Sequence, residues 1–248
     1  MSILKTENLT KIYNQRRVVD EVSIEIHSGE VVGLLGRNGA GKTTTFQLIV
    51  GLIRPDEGDI FLDSQKISNK PTYLRAREGI SYLPQEDSVF LKATVEENLR
   101  MILELLFYPK KEIKEKTTQL LTELGIAHLV KSPAYTLSGG EKRRLEICRA
   151  LILEPKFLLL DEPFTGIDPL TIAEIQKIIL YLKTKKIGII ISDHNVRDTF
   201  EITDRAYIIH QGKILIEGKP VELANNLLAK EKFLGEDFHL GEEVKVKD

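Results

Sequence analysis

The stretch Gly36-Arg37-Asn38-Gly39-Ala40-Gly41-Lys42-Thr43 constrains this chain more than any other. Two glycines five apart, followed by lysine and a hydroxyl residue, form the pattern of a phosphate-cradling loop. The apolar run Val31-Val32-Gly33-Leu34-Leu35 before it predicts a buried strand, and residues 43–50 after it predict a helix. Strand, glycine loop and helix is the order the chemistry needs. Glycines let backbone N–H groups face a polyphosphate without a side chain in the way, and the helix start adds partial positive charge. Lys42 brings a full charge to the β and γ phosphates, the Thr43 hydroxyl suits Mg²⁺, and Thr44 continues the helix start. The bland alternative is a glycine-rich turn that only caps a helix.

At 248 residues the chain is long enough for one large domain or two lobes sharing a core. A net charge of −2 gives no electrostatic case for a nucleic-acid partner. The single cysteine, Cys148, has no partner for an internal disulfide, which suits a reducing compartment. The opening Met1-Ser2-Ile3-Leu4-Lys5 lacks the apolar core of a signal peptide. No window approaches the ~18 apolar residues of a membrane span. The expectation is a cytoplasmic protein whose membrane role, if any, runs through partners.

Along the chain, residues 3–12 and 18–26 read as strands, the second alternating Val22, Ile24 and Ile26 with Ser23 and Glu25. Tyr13 lies between them on a polar turn, as a surface residue or as a platform for a flat base. Residues 59–63 and 80–84 read as short strands. Gln85 follows Pro84 at a strand end, where ligands collect in open α/β sheets, although many such glutamines only face water. Residues 94–135 turn helical: Thr94 and Glu97 make a capping box, and a second amphipathic run over 110–124 ends at Gly125. The lysine-rich start of that run reads as a solvated face. This insertion, taken over residues 91–135, predicts a helical lobe set into a core built from residues 1–90 and 136–240. Residues 241–248 read as a loose, charged tail.

Leu137-Ser138-Gly139-Gly140-Glu141 opens the next helix, over 142–153. Ser138 and Glu141 have capping-box spacing. The two glycines cost helix stability by roughly 1 kcal/mol each, and in return present bare N–H groups, a second anion site. The buried strand over 157–160 ends in Asp161-Glu162, paired carboxylates that are costly unless a cation is near. Beside a phosphate loop that cation is Mg²⁺, held by Asp161, with Glu162 accepting a proton from the attacking water. A plain surface turn is the alternative. After a turn at Gly166-Ile167-Asp168-Pro169 and a helix over 170–182, the strand at 188–192 delivers Asp193-His194 to the same edge. Of the five histidines, His194 alone sits where it could orient a γ-phosphate or a water. Two short strands flank a hairpin at Gln211-Gly212, and a last helix runs over 221–228. The whole is an α/β fold with a mixed central sheet, an N-terminal antiparallel β part and an inserted helical lobe.

Together these motifs resemble the nucleotide-binding subunit of ATP-binding cassette (ABC) transporters, P-loop NTPases, over nearly the whole chain. The discriminating piece is Leu137-Ser138-Gly139-Gly140-Glu141, similar to the signature sequence of that family, with Glu141 in place of the commoner glutamine. The resemblance implies that Tyr13 stacks on adenine, that Gln85 senses the γ-phosphate and Mg²⁺, that Asp168 is a dimer-loop aspartate and that His194 is a switch. It implies ATP and Mg²⁺ as ligands and a head-to-tail homodimer. In it the loop residues 36–44 of one copy and Ser138, Gly139, Gly140 and Asp168 of the other hold each nucleotide. It also implies two integral membrane permeases, docked near Glu86 and Phe90, with no direct contact to cargo.

Within the family the stretches Tyr82-Leu83-Pro84-Gln85-Glu86, Asp193-His194-Asn195-Val196-Arg197 and Leu234-Gly235-Glu236-Asp237-Phe238-His239-Leu240 resemble the lipopolysaccharide-export branch. That implies a peripheral ATPase on the cytoplasmic face of the inner membrane. The alternatives are the ATPase of an importer of the branched-chain amino-acid type and a soluble ABC switch protein.

Overall fold

A computed structural model describes residues 1–240; the expected tail at 241–248 lies outside them. The chain begins with β1 (Ile3–Tyr13), β2 (Arg16–Val22), β3 (Glu25–His27) and β4 (Val31–Leu35). It continues with α1 (Lys42–Val50), β5 (Glu57–Leu62), β6 (Gln65–Lys66), α2 (Thr72–Arg77) and β7 (Ile80–Leu83). The helical insertion holds α3 (Val95–Leu105) and α4 (Lys110–Glu123), then two short 3-10 turns lead to α5 (Gly139–Leu151). Last come β8 (Phe157–Asp161), α6 (Pro169–Thr184), β9 (Gly188–Ser192), α7 (Val196–Phe200), β10 (Arg205–His210), β11 (Lys213–Gly218), α8 (Pro220–Asn225) and α9 (Leu227–Ala229), which runs on as a π-helical turn (Lys230–Leu234).

Two sheets form. The antiparallel one has the order β2-β1-β5-β6, with β3 also on β1. The other has the order β11-β10-β4-β9-β8-β7. Its strands β10, β4, β9, β8 and β7 are parallel and β11 is antiparallel, so the sheet is mixed as expected. Strands β4, β8 and β9 are buried at every residue, which explains why they read as unbroken apolar runs. Because these strands run in parallel, the segments that follow β4, β7, β8 and β9 all leave from one edge of the sheet.

The span 18–26, expected as one strand, is two. Thr6 Oγ1 donates to Val22 O at 3.1 Å and accepts from Ile24 N at 3.0 Å, so at the gap between β2 and β3 a side chain of β1 takes up backbone groups that a continuous ladder would pair. Tyr13 is the last residue of β1 and not part of a turn. The last helix, expected over 221–228, is broken: α8 stops at Asn225, Asn226 is extended with its side chain accepting from Ala229 N at 3.0 Å, and a second helical stretch follows over 227–234. The lysine run of α4 is not wholly solvated either, since Lys116 pairs with Glu154 and lies 5.0 Å from the centroid of Tyr108.

Three apolar clusters fill the interior. The largest spans helices and sheet: Leu99, Leu103 and Leu121 of α3 and α4 pack with Leu145 and Cys148 of α5 and with Leu158 and Ile189 of the sheet. Between the sheets lie Phe46, Ile49, Ile60 and Leu159. Arg75, fully buried, finishes α1. It donates to the carbonyls of Leu48 and Ile49 at 2.7 Å each, to Ser68 O at 2.7 Å and to Lys70 O at 2.9 Å. Burial pushes its guanidinium down to about 10, still charged at neutral pH.

Candidate active site

The glycine loop fills the passage from β4 to α1. Gly41 caps α1 at φ 110° and Gly39 stands at φ 76°, both in the region that glycine tolerates. A Cβ on Gly36 would lie 2.4 Å from Ile209 O, and one on Gly41 would lie 2.7 Å from Val18 O. Close approach by neighbouring strands therefore demands glycine at both ends of the loop. Arg37, Asn38 and Gly39 are exposed, while Gly36, Ala40 and Gly41 form the buried back of the loop. The loop wraps Lys42, whose ammonium donates to Gly36 O at 2.7 Å and Arg37 O at 3.4 Å. Burial lowers its pKa, while the carboxylates of Glu162, Asp161 and Asp193 pull it back up.

Asn38, Gly39, Gly41, Lys42, Thr43 and Thr44 line a cleft of about 280 Å³ together with Val18, Gln85 and Glu162. Strand ends far apart in sequence thus meet at one opening. Gln85 Nε2 donates to Glu162 Oε2 at 3.0 Å, and Thr165 Oγ1 donates to the same oxygen at 3.1 Å. His194 Nδ1 stands 3.5 Å from that oxygen and 3.6 Å from Asp193 Oδ1. Glu162 itself sits at φ 48°, held there by its N–H donating to Ser192 O at 2.7 Å. A non-glycine residue in this conformation carries strain that the surrounding contacts must hold in place.

Asp161 is fully buried beneath the cleft. The Tyr82 hydroxyl donates to its Oδ2 at 3.1 Å, and Ser192 Oγ donates to its Oδ1. Asp193 is likewise buried; Phe164 N donates to it at 3.1 Å and Asn195 N at 2.8 Å. Burial raises the pKa of Asp193, against the lowering effect of those N–H groups and of His194. Among the described residues no group of three His, Cys, Asp or Glu side chains could hold a metal alone. The donors near the loop are instead a hydroxyl (Thr43), a carboxamide oxygen (Gln85) and one carboxylate (Asp161). Such a set fits Mg²⁺, which takes few protein ligands and completes its shell with phosphate oxygens and water.

Other expected residues stand apart from the cleft. Tyr13 is 45% exposed, with the Lys11 ammonium 5.4 Å above its ring, and does not line the opening. Ser138 and Gly139 are exposed at the start of α5, also outside it. The capping box there is complete: Ser138 Oγ accepts from Glu141 N at 3.3 Å, and Ser138 N donates to Glu141 Oε2 at 2.8 Å. Gly140 is buried, and a Cβ there would lie 2.4 Å from Thr171 Cγ2 on α6, so helix packing is reason enough for that glycine. Asp168 caps α6, accepting from Leu170 N and Thr171 N at 3.1 Å each and from Thr171 Oγ1 at 2.6 Å. Glu86 is exposed, and Phe90 is 48% exposed beneath the Arg149 guanidinium, 4.8 Å from the ring centroid. Sequence reasoning missed Val18, which meets the loop partly through its carbonyl, a group no side-chain pattern reveals.

Comparison with known proteins agrees with this geometry. The model of the ABC transporter family matches residues 19–165. The lipopolysaccharide export system ATP-binding protein LptB of Haemophilus influenzae is 49% identical over 97% of this chain and 100% of its own length. LptB of Escherichia coli K12 is 47% identical, again over 97% of this chain and 100% of its own length. Among solved structures, an ABC transporter cassette in its ADP conformation superposes with a TM-score of 0.86 at 31% identity, covering 95% of this chain and 100% of that one. A nucleotide-free cassette gives the same TM-score at 32% identity, covering 98% and 100%. A chain that matches this family model over residues 19–165 and these relatives over 97% of its length belongs to the ATP-binding cassettes of the ABC transporter family, and is an ATP-binding ATPase.

Proposed function

We propose that this chain is the ATP-hydrolysing subunit that powers extraction of lipopolysaccharide from the inner membrane for transport to the outer membrane. The observation that carries this reading is the end-to-end match to relatives named for lipopolysaccharide export. The C-terminal segment 234–240 belongs to the fold as well, since Leu234, Phe238 and Leu240 pack on the cluster of Leu35, Phe200 and Ile208.

In this reading the loop residues Gly36, Arg37, Asn38, Gly39, Ala40, Gly41, Lys42, Thr43 and Thr44 seat the triphosphate, with Tyr13 against adenine. Thr43, Asp161 and Gln85 would hold Mg²⁺, which would supply charge neutralisation to the phosphates when bound. Glu162 accepts the proton of the attacking water. Gln85 and His194, both beside Glu162 Oε2, orient that water and the γ-phosphate. The signature turn stands outside the cleft of its own chain, which favours a second copy supplying Ser138, Gly139, Gly140 and Asp168 to each nucleotide. Residues 1–90 and 136–240 then form the catalytic lobe, and residues 91–135 the helical insertion of one cassette domain. No described helix is long and apolar enough to cross a membrane. In the same reading two integral permeases hold the dimer at the cytoplasmic face, gripping exposed Glu86 and Phe90, and cargo does not touch this subunit.

Purification from membranes tests the assignment. Recovery with the permeases of lipopolysaccharide export is expected. Recovery with import permeases would replace the proposal by an importer reading, and recovery with no integral protein would favour a soluble switch.

A further inference from the structure

Helix α5 carries a buried ion pair with an unusual set of contacts. Arg143 Nη1 donates to Glu146 Oε2 at 2.9 Å, with the two side chains 9% and 2% exposed. Arg143 also donates to Pro84 O and to Asp161 O, at 3.3 Å each. Those carbonyls belong to the residues just before Gln85 and just before Glu162. The other oxygen of Glu146 accepts from Ser88 N at 2.6 Å and from Ser88 Oγ at 3.1 Å. Arg149, further along the helix, donates to Ser88 O. The turn that bears Gln85 is thus fastened to α5 from below, on both sides of the glutamine.

Removing two charges from water is expensive, and an apolar pair of equal volume holds a core as well or better. What an apolar pair lacks is any grip on Pro84 O, Asp161 O and Ser88 N. The pair therefore contributes placement. We propose that Glu146, locked by Arg143, is a positioning residue for hydrolysis, fixing the turn 84–88 so that Gln85 meets Glu162. This rests on the reading of Gln85 and Glu162 as hydrolysis residues. Because Ser138 caps α5, the same rigid rod that offers the signature turn to a second copy also sets the geometry of its own chain's reaction site.

Two measurements test it. In the double variant Arg143→Met/Glu146→Met the melting temperature should be kept or raised. Its kcat for ATP should nevertheless fall about tenfold, with KM within about twofold, as expected when orientation alone is lost. An unchanged kcat in the folded variant, or a loss confined to KM, would overturn the proposal. The second is a double-mutant cycle of Glu146→Ala with Gln85→Ala. If Glu146 acts through Gln85, the combined variant is no slower than Gln85→Ala alone. Losses that multiply would overturn the proposal while leaving the site reading intact. A Gln85→Ala variant with normal kcat would remove the site reading and this proposal together.

Discussion

On the proposed reading Glu162 and Lys42 divide the work at the cleft, and their substitutions should separate cleanly. Glu162→Gln retains the shape of the side chain and its contacts near Gln85 and Thr165 but cannot take up a proton. Turnover should drop by ~10²-fold or more while ATP binding persists, as read by steady-state hydrolysis and calorimetry. Near-normal turnover would remove Glu162 as the base. Lys42→Ala strips the one ammonium wrapped by the loop, so calorimetry should show weakened nucleotide affinity itself; unchanged affinity would count against the phosphate seat. Both residues are legible in the sequence, because a lysine after spaced glycines and adjacent carboxylates after an apolar strand are local patterns with a chemical reason. Arg143 and Glu146 are not. They lie in a stretch already explained as a capped helix, and their partners Pro84, Ser88 and Asp161 are distant in sequence. A buried charge shows itself only when the fold reveals what surrounds it.

At the scale of elements, the neighbouring glycines of α5 make opposite predictions. A Cβ on Gly140 would meet Thr171 Cγ2 at 2.4 Å, so Gly140→Ala must push α5 from α6. Urea unfolding should show a loss of about 1–3 kcal/mol, the usual range for an overpacked contact. A Cβ on Gly139 meets only Ile167 Cγ2, at an ordinary 3.5 Å. Gly139→Ala should therefore leave stability unchanged or slightly improved. Equal losses from both would contradict this packing. The parallel strands and long helices are readable from apolar runs and caps, such as the Thr94 box before α3. The break between β2 and β3 is not, because alternation continues through Ser23 and Ile24 while the Thr6 side chain interrupts the ladder from another strand. The end of α8 depends in the same way on the extended backbone of Asn226, where residues 221–228 keep a helical pattern.

For the whole molecule, the separation of cleft and signature turn predicts a nucleotide-dependent change in mass. Glu162→Gln with ATP and Mg²⁺ should scatter light as a dimer of the 28.1 kDa chain, and as a monomer without nucleotide. A strict monomer under both conditions would rule out the shared-site arrangement. The helices α3 and α4 are readable from the switch to helical periodicity at residue 94, yet the continuity of their core with the sheet is not, since Leu103, Cys148 and Leu158 reveal nothing of their contact until folded. One surface hairpin shows how far that interdependence extends. Gly212, at the bend between β10 and β11, donates its N–H to Ala40 O at 2.9 Å and accepts from Asp20 N at 2.8 Å. A Cβ there would lie 2.8 Å from Val18 O. Hairpin tips are ordinarily the first place to splice in a tag or a foreign peptide. Here the tip buttons β2 to the triphosphate seat, so an insertion at Gln211-Gly212 would spoil nucleotide capture from the outside of the protein.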